Sequence, residues 1–319
     1  MLKIGPSGFR VVHEMPLGGM QEVEMVTGPI IVGTDGSAQS LQAVEWAARE
    51  AVLRDSALRI IAVPALPPLM SRHQPEGTPE AVADVVMGSY ERALATAAGR
   101  AAELEPGLTA EAQLQSGPPA ETLTEAAAGG SMLVVGSRGA GSFSALLLGS
   151  VSRYVATHAS GPVVVVREET MAVCREIAVG IGDPGQPTSA LRFAFAEASL
   201  RKAGLLILHA WHWPVPGSGP MGTLTATERA AVHASQMSSD TAIRLSELVA
   251  SLQDSYPEVQ VSSDVVHGHP ARMLAEASAR ADLVVIGRRA TGASESGTRS
   301  VVHALLSHAH GPVAVVPGG

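Results

Sequence analysis

The chain carries one pattern twice, and that duplication narrows its fold more than any other feature. Residues 29–37, Pro-Ile-Ile-Val-Gly-Thr-Asp-Gly-Ser, open one copy, and residues 177–184, Ile-Ala-Val-Gly-Ile-Gly-Asp-Pro, open the other. An alanine-rich amphipathic segment follows each opening, around Trp46 and around Phe193. A second apolar run then ends at Val63 in one copy and at Trp211 in the other. Proline-rich stretches come next, at 64–79 and 214–220, before a long alanine-rich helix and a short strand. Each copy continues through a helix near Glu125 or Glu276 to an apolar strand, Met132–Val135 or Leu283–Ile286, that runs into glycine. The closing segments, HASGPVVVV and HAHGPVAVV, are nearly identical. Strands alternating with helices specify a parallel sheet with helices on both faces. The strands are continuous apolar runs, as burial from two sides requires. Two α/β units are expected, residues 29–168 and 176–317, joined by a short polar linker.

In 319 residues the hydrophobic fraction is 46% and the aromatic fraction 3%, so both cores must be built from valine, leucine, isoleucine and alanine. Twenty-two basic residues against 30 acidic ones leave a net charge of −8. That balance argues against nucleic acid or an anionic membrane as partner, and the lack of aromatics removes stacking platforms for single strands. Cys174 is the single cysteine, which excludes an intrachain disulfide and makes a reducing compartment the default. No apolar run reaches the roughly 18 residues of a membrane span. The N-terminal stretch has no continuous apolar core of the secretory kind. A soluble, cytoplasmic protein is expected. Residues 1–28 have no periodic apolar face and are expected to form an extension outside the fold.

The first copy's fourth strand runs into Gly136-Ser137-Arg138-Gly139, then Gly141, and later into Gly149-Ser150-Val151-Ser152. A glycine-rich loop lays bare backbone N–H groups along a polyphosphate, and a helix opening on small and hydroxyl residues offers its positive end to the last phosphates. Lys3 and Lys202 are the only lysines, and neither lies in a GxxxxGK[ST] loop, so a Walker-type ATPase is excluded. The GxxGxG order, following a late strand, also argues against a dinucleotide fingerprint.

The spacing Gly-x2-Gly-x9-Gly-Ser resembles the ATP-binding signature of the universal stress protein family, Gly-x2-Gly-x9-Gly-Ser/Thr. The resemblance extends over both copies. It implies two tandem open five-stranded parallel sheets of order 3-2-1-4-5, with helices on both faces, in the adenine nucleotide α-hydrolase-like class. Strands one and four then flank the point where the winding reverses, and ligands in such sheets bind at the carboxyl ends there. Gly33, Thr34 and Asp35 would meet Gly136, Ser137, Arg138, Gly139 and Gly141 in one crevice. The resemblance further implies that Asp35 contacts the nucleoside part of ATP and that Ala62 and Val63 wall the adenine. Gly149, Ser150, Val151 and Ser152 would hold the terminal phosphates, with magnesium as their accompanying ion. Taken as residues alone, Asp35, Ser150 and Ser152 also suit helix capping, Ala62 and Val63 suit plain core, and Arg138 suits a solvated loop. The function implied is a nucleotide-dependent stress-response module, non-catalytic or weakly hydrolytic, working through an unknown protein partner. A slow ATP hydrolase or nucleotidyl transferase is one alternative, and a ligand-free structural protein another.

The second copy departs from this pattern. Gly182 stands where Asp35 stands, Ala290 replaces the second glycine, and Arg299 precedes Ser300 where Gly149 precedes Ser150. ATP binding there is expected to be weak, altered or absent. His267 with His269 and His308 with His310 have i, i+2 spacing, but no cysteine or carboxylate cluster completes a metal set. The closing strands Val163–Val166 and Val313–Val316 are short, apolar and uncharged. In the order 3-2-1-4-5 each lies at a sheet edge, where it would template aggregation if left open. The two are expected to pair antiparallel within the chain, as the strands of single-domain family members do on dimerising. The paired unit could form a homodimer through other faces.

Overall fold

Hydroxyl residues and prolines start the helices at matching places in the two halves. A computed structural model describes residues 28–64, 80–128, 132–139, 148–167, 173–182, 188–211, 240–288 and 295–318. The first half comprises β1 (Ile30–Thr34), α1 (Ala38–Leu53), β2 (Leu58–Ala62), α2 (Glu80–Leu104), β3 (Ala110–Leu114), α3 (Pro119–Ala126), β4 (Met132–Gly136), α4 (Ser150–His158) and β5 (Val163–Val166). The second comprises β6 (Glu176–Ile181), α5 (Ser189–Arg201), β7 (Gly204–Trp211), α6 (helical at 240–253), β8 (Val261–His267), α7 (Pro270–Ala277), β9 (Leu283–Gly287), α8 (Glu295–His308) and β10 (Val313–Val316). Ser37 caps α1 by accepting from the N–H of Ser40 at 3.2 Å, and Thr188 caps α5 by accepting from Leu191 at 3.2 Å. Proline opens both α3 and α7, where its missing N–H would have had no intrahelical partner. The expected N-terminal extension up to residue 27, most of both proline-rich stretches, Gly141 and Ala290 lie outside the described residues.

The sheet differs from expectation in one respect: it is single. Ten strands form one sheet in the order β3-β2-β1-β4-β5-β10-β9-β6-β7-β8. Within each half the neighbours are parallel, and the two halves join through β5 and β10, which run antiparallel with Val165 opposite Val313 and Val163 opposite Val315. The closing strands have therefore become the centre of the sheet. Its true edges are β3 and β8, of which β3 (Ala-Glu-Ala-Gln-Leu) is largely exposed and partly charged, which blunts edge-to-edge pairing.

Alternate residues of each strand feed two cores. Val164 and Val166 join α1, α2, α5 and α6 on one face; Val163 and Val165 join α3, α4, α7 and α8 on the other. Each core runs unbroken across the seam between the halves. Its members are chiefly aliphatic, as the composition requires, and Phe195 is the largest fully buried side chain.

Four charged side chains lie beside that seam. Glu50 of α1 and Glu197 of α5 are each 1% exposed. Arg54 binds Glu50 at 2.6 Å and reaches across to Glu197, while Arg201 binds Glu197 at 3.0 Å and reaches across to Glu50 at 2.5 Å. The result is a closed ring with two-fold character. Burial, then the neighbouring Glu50 charge, raise the Glu197 carboxyl above its ordinary range against the pull of the two arginines. A second reciprocal pair lies elsewhere along the seam: Arg167 donates to Leu306 O near the end of α8 at 2.6 Å, and Arg288 donates to Ala159 O at the end of α4 at 2.5 Å. Both place a cation on helix C-terminal carbonyls, the favourable end for positive charge.

Candidate functional site

The end of β1 is held open by a chain of hydroxyl bonds. Thr34 is buried, and its Oγ1 lies 3.1 Å from Ser40 Oγ. Ser40 Oγ donates to Ser37 O at 2.9 Å and lies 3.4 Å from the Asp35 N–H, while Gly36 N donates to Thr34 Oγ1 at 3.3 Å. Gly36 sits at φ +80, a left-handed conformation that suits glycine. This turn leaves Asp35 half-buried, with Oδ1 accepting from the Ser37 N–H at 3.0 Å. Asp35 is thus not the helix cap; Ser37 is. Ser40 was not singled out in the sequence, although its spacing from Ser37 fits a capped first turn.

The end of β4 packs directly against that turn. β1 and β4 are neighbours, with Val32 opposite Val134. A methyl group built on Gly136 would come within 2.7 Å of Gln39 O in the first turn of α1. One built on Gly139 would collide with Asp35 Oδ2. The two glycine-bearing ends therefore meet, and the Asp35 carboxylate lies against Gly139. Gly33 makes room of a different kind: its missing side chain leaves space for Leu123 of α3, whose Cδ1 would be 2.7 Å from a methyl there.

Loop and helix are tied at their bases. Gly149 N donates to Ser137 O at 2.8 Å, and Ser137 N donates to Val166 O at 2.9 Å. Gly149 caps α4 without any side-chain hydrogen bond, and Ser150 is exposed. The first N–H groups of a helix have no partner within it, so the start of α4 suits an anion. Ser152 has another job than capping: it is buried, and its hydroxyl donates to Gly136 O at 2.6 Å, fastening α4 to β4. A methyl on Gly149 would meet only ordinary contacts, the nearest 3.4 Å away, so the protein's own packing does not require glycine there. Val151 and Arg138 are half-buried. Ala62 and Val63 are buried: Ala62 lies in β2 between Thr34 and Leu114, and Val63 follows the strand's end.

The second half shows the same framework differently furnished. Gly180 lies under Leu274 as Gly33 lies under Leu123. Register places His209 where Ala62 stands, opposite Ile181. His209 is buried, and its Nδ1 is 3.2 Å from Ile181 O. Arg288 takes the place of Ser137, bonding Val316 O through its N–H as Ser137 bonds Val166 O, but its side chain crosses to α4. At Asp35's place Gly182 offers no carboxylate. Among the described residues no cluster of three histidine, cysteine or acidic side chains could hold a metal. No described helix is long and apolar enough to cross a membrane.

Comparison with known proteins gives a consistent picture. The model of the Universal stress protein family matches residues 27–167 and again 174–317. A universal stress protein of Mycobacterium tuberculosis is 34% identical over 310 residues, spanning 90% of this chain and 94% of its own. One from Mycolicibacterium smegmatis is 35% identical over 285 residues, spanning 82% of this chain and 87% of its own. The crystal structure of a universal stress protein from Archaeoglobus fulgidus covers 93% of this chain and 98% of its own with a TM-score of 0.64, at 19% identity, a likeness of fold.

Proposed function

Since the chain belongs to the universal stress protein family, we propose that its first half binds ATP in the crevice between β1 and β4 and serves as a nucleotide-dependent regulatory module. The observation that carries this reading is the meeting of Asp35 with Gly139 at the end of β4, beside the start of α4. Asp35 suits the hydroxyls of a ribose as an acceptor. Bare backbone at Gly139 suits a polyphosphate, and the N-terminus of α4 suits its far end. Gly141, Arg138 and Ser150 belong to the same proposed phosphate path, with Ala62 and Val63 behind the base. Magnesium would ride on the phosphates, since Asp35 alone makes no cage; this ion keeps several waters and needs few protein ligands.

A regulatory rather than hydrolytic role is supported by Asp35 itself. It is the one carboxylate among the described residues of the proposed site, and it already accepts from the Ser37 N–H. The second half, with His209 in the base's place and Gly182 in that of Asp35, serves the fold instead. Isothermal titration of the whole chain with ATP and magnesium tests this. One site per chain is expected, lost on Asp35→Ala, with no ADP formed at catalytic rates. Two equal sites, or affinity unchanged by Asp35→Ala, would refute it.

A further inference from the structure

Two hydroxyls sit beneath the turn that carries Asp35, and proton counting fixes the direction of the bond between them. A serine or threonine has one proton to give and two lone pairs to receive. Ser40 spends its proton on Ser37 O at 2.9 Å. In the 3.1 Å contact between the hydroxyls, Thr34 Oγ1 is therefore the donor and Ser40 Oγ the acceptor. Each oxygen also receives one backbone N–H: Asp35 N donates to Ser40 Oγ at 3.4 Å, and Gly36 N to Thr34 Oγ1 at 3.3 Å. Those N–H groups belong to the two planar peptide units on either side of the Asp35 Cα. Held by one linked hydroxyl pair, they set φ and ψ of Asp35 and so the direction of its Cα–Cβ bond. The Ser37 N–H then fixes Oδ1 at 3.0 Å, and Oδ2 lies toward Gly139.

The fold does not need this pair, because the second half builds the same corner without it. Ile181 ends β6 as Thr34 ends β1. The Leu191 N–H donates to the cap Thr188 Oγ1, as the Ser40 N–H donates to the cap Ser37 Oγ. Ile181 and Leu191 therefore stand where Thr34 and Ser40 stand. All four are buried, and Ile181 and Leu191 belong to one apolar core. An apolar pair fills such a corner without desolvating any polar group. The hydroxyls occur in the half that has Asp35; the other half has Gly182 there, with no side chain to aim.

We propose, building on the ATP reading above, that Thr34 and Ser40 are positioning residues that give the site its choice of sugar. They act through Asp35, holding its carboxylate where it accepts from the ribose hydroxyls. Prealigned in this way, the carboxylate selects a sugar with both hydroxyls over one that lacks them. With the pair removed, Asp35 turns away and the selection falls, while the phosphate contacts at the start of α4 persist.

Titration calorimetry of the whole chain with ATP and with 2′,3′-dideoxy-ATP reads this selection as the ratio of the two dissociation constants. The native chain should favour ATP roughly tenfold, the scale of a charge-assisted hydrogen bond. Thr34→Val, close in shape, should cut the preference to about threefold or less, by weakening ATP and sparing the dideoxy nucleotide. Thr34→Ser keeps the hydroxyl and should keep the preference. Thr34→Ile with Ser40→Leu installs the second half's own pair; it should retain native circular dichroism and lose the preference. A preference that survives Thr34→Val and the double change, yet is abolished by Asp35→Ala, overturns the positioning role alone. Equal weakening of both nucleotides, or equal losses from Thr34→Ser and Thr34→Val, would overturn it too. No preference in the native chain, or one that Asp35→Ala leaves intact, removes the contact between Asp35 and ribose and this proposal with it.

Discussion

Glu50 of the first half accepts a hydrogen bond at 2.5 Å from Arg201 of the second, 151 positions away in the chain. With Arg54 and Glu197 it forms a buried ring that neither half can complete alone. Removing one member leaves an uncompensated charge inside. Glu50→Ala should cost about 3–5 kcal/mol, the usual scale for breaking a buried pair. Urea unfolding should show it, with both halves losing stability in one transition. A double change, Glu50→Ala with Arg201→Ala, should cost less than the sum of the two singles.

The same ring sets a pH dependence. Burial raises the Glu197 carboxyl above 4.5, its ordinary value. Between that value and the raised one, the folded chain holds more protons on this group than the unfolded chain does. Its contribution to stability is thus fully present at low pH and declines as pH rises through that window. Measured by urea unfolding, the stability of the native sequence relative to Glu197→Gln should fall as pH rises from 4.5. A relative stability that climbs with pH instead would contradict this.

Gly139→Ala should weaken ATP binding by about 1–3 kcal/mol, on the scale of one lost buried polar contact. The added methyl collides with Asp35 Oδ2, so the loss comes through displacement of that carboxylate. Gly292→Ala, in the second half, should do much less. Calorimetry showing equal losses would place a working site in both halves.

Ser152→Ala removes the hydroxyl that donates to Gly136 O from a buried position. Leaving that carbonyl without its donor should cost about 1–3 kcal/mol by chemical denaturation. The repeat tolerates Val302 at the matching place, so loss of the bond, not lack of space, should dominate.

Val165→Lys places an ammonium at the centre of the ten-stranded sheet, opposite Val313. Loss of soluble protein, or joint destabilisation of both halves, is expected on gel filtration and thermal unfolding. If a protein ending at Arg167 were a stable monomer with full ATP affinity, the seam would not be needed to protect the first half.

Strand and helix alternation was legible because the strands are apolar runs punctuated by glycine, and the pairing of Val163–Val166 with Val313–Val316 because both are uncharged. The meeting of the β1 and β4 ends was legible for the same kind of reason: glycine spacing records where backbone must approach backbone, as Gly136 does at Gln39. The ring of Glu50, Arg54, Glu197 and Arg201 was not. A Glu-x3-Arg pair reads as an ordinary pair on one solvated helix face. Only its repetition, Glu-Ala-Val-Leu-Arg in one half and Glu-Ala-Ser-Leu-Arg in the other, hints that two such pairs interlock. Ser152 looked like a cap because it stands near a helix start; its bond to Gly136 O depends on how α4 lies over β4. The place of His209 opposite Ile181 was not legible either, because it depends on sheet register.

The seam through β5 and β10 also bears on how such a chain can change over generations. Where two identical subunits meet about an axis, every substitution is made twice and confronts its own image. Here the image belongs to a separate stretch of the same chain. Tyr154 could arise where the other half keeps Ala304, and His209 could occupy a place that remains Ala62 in the other half, without either change being imposed on both. A half released from holding a ligand can drift in its loops as long as it keeps Val313–Val316 and its two ring residues. Repetition within one chain thereby lets the two halves diverge while they share one sheet.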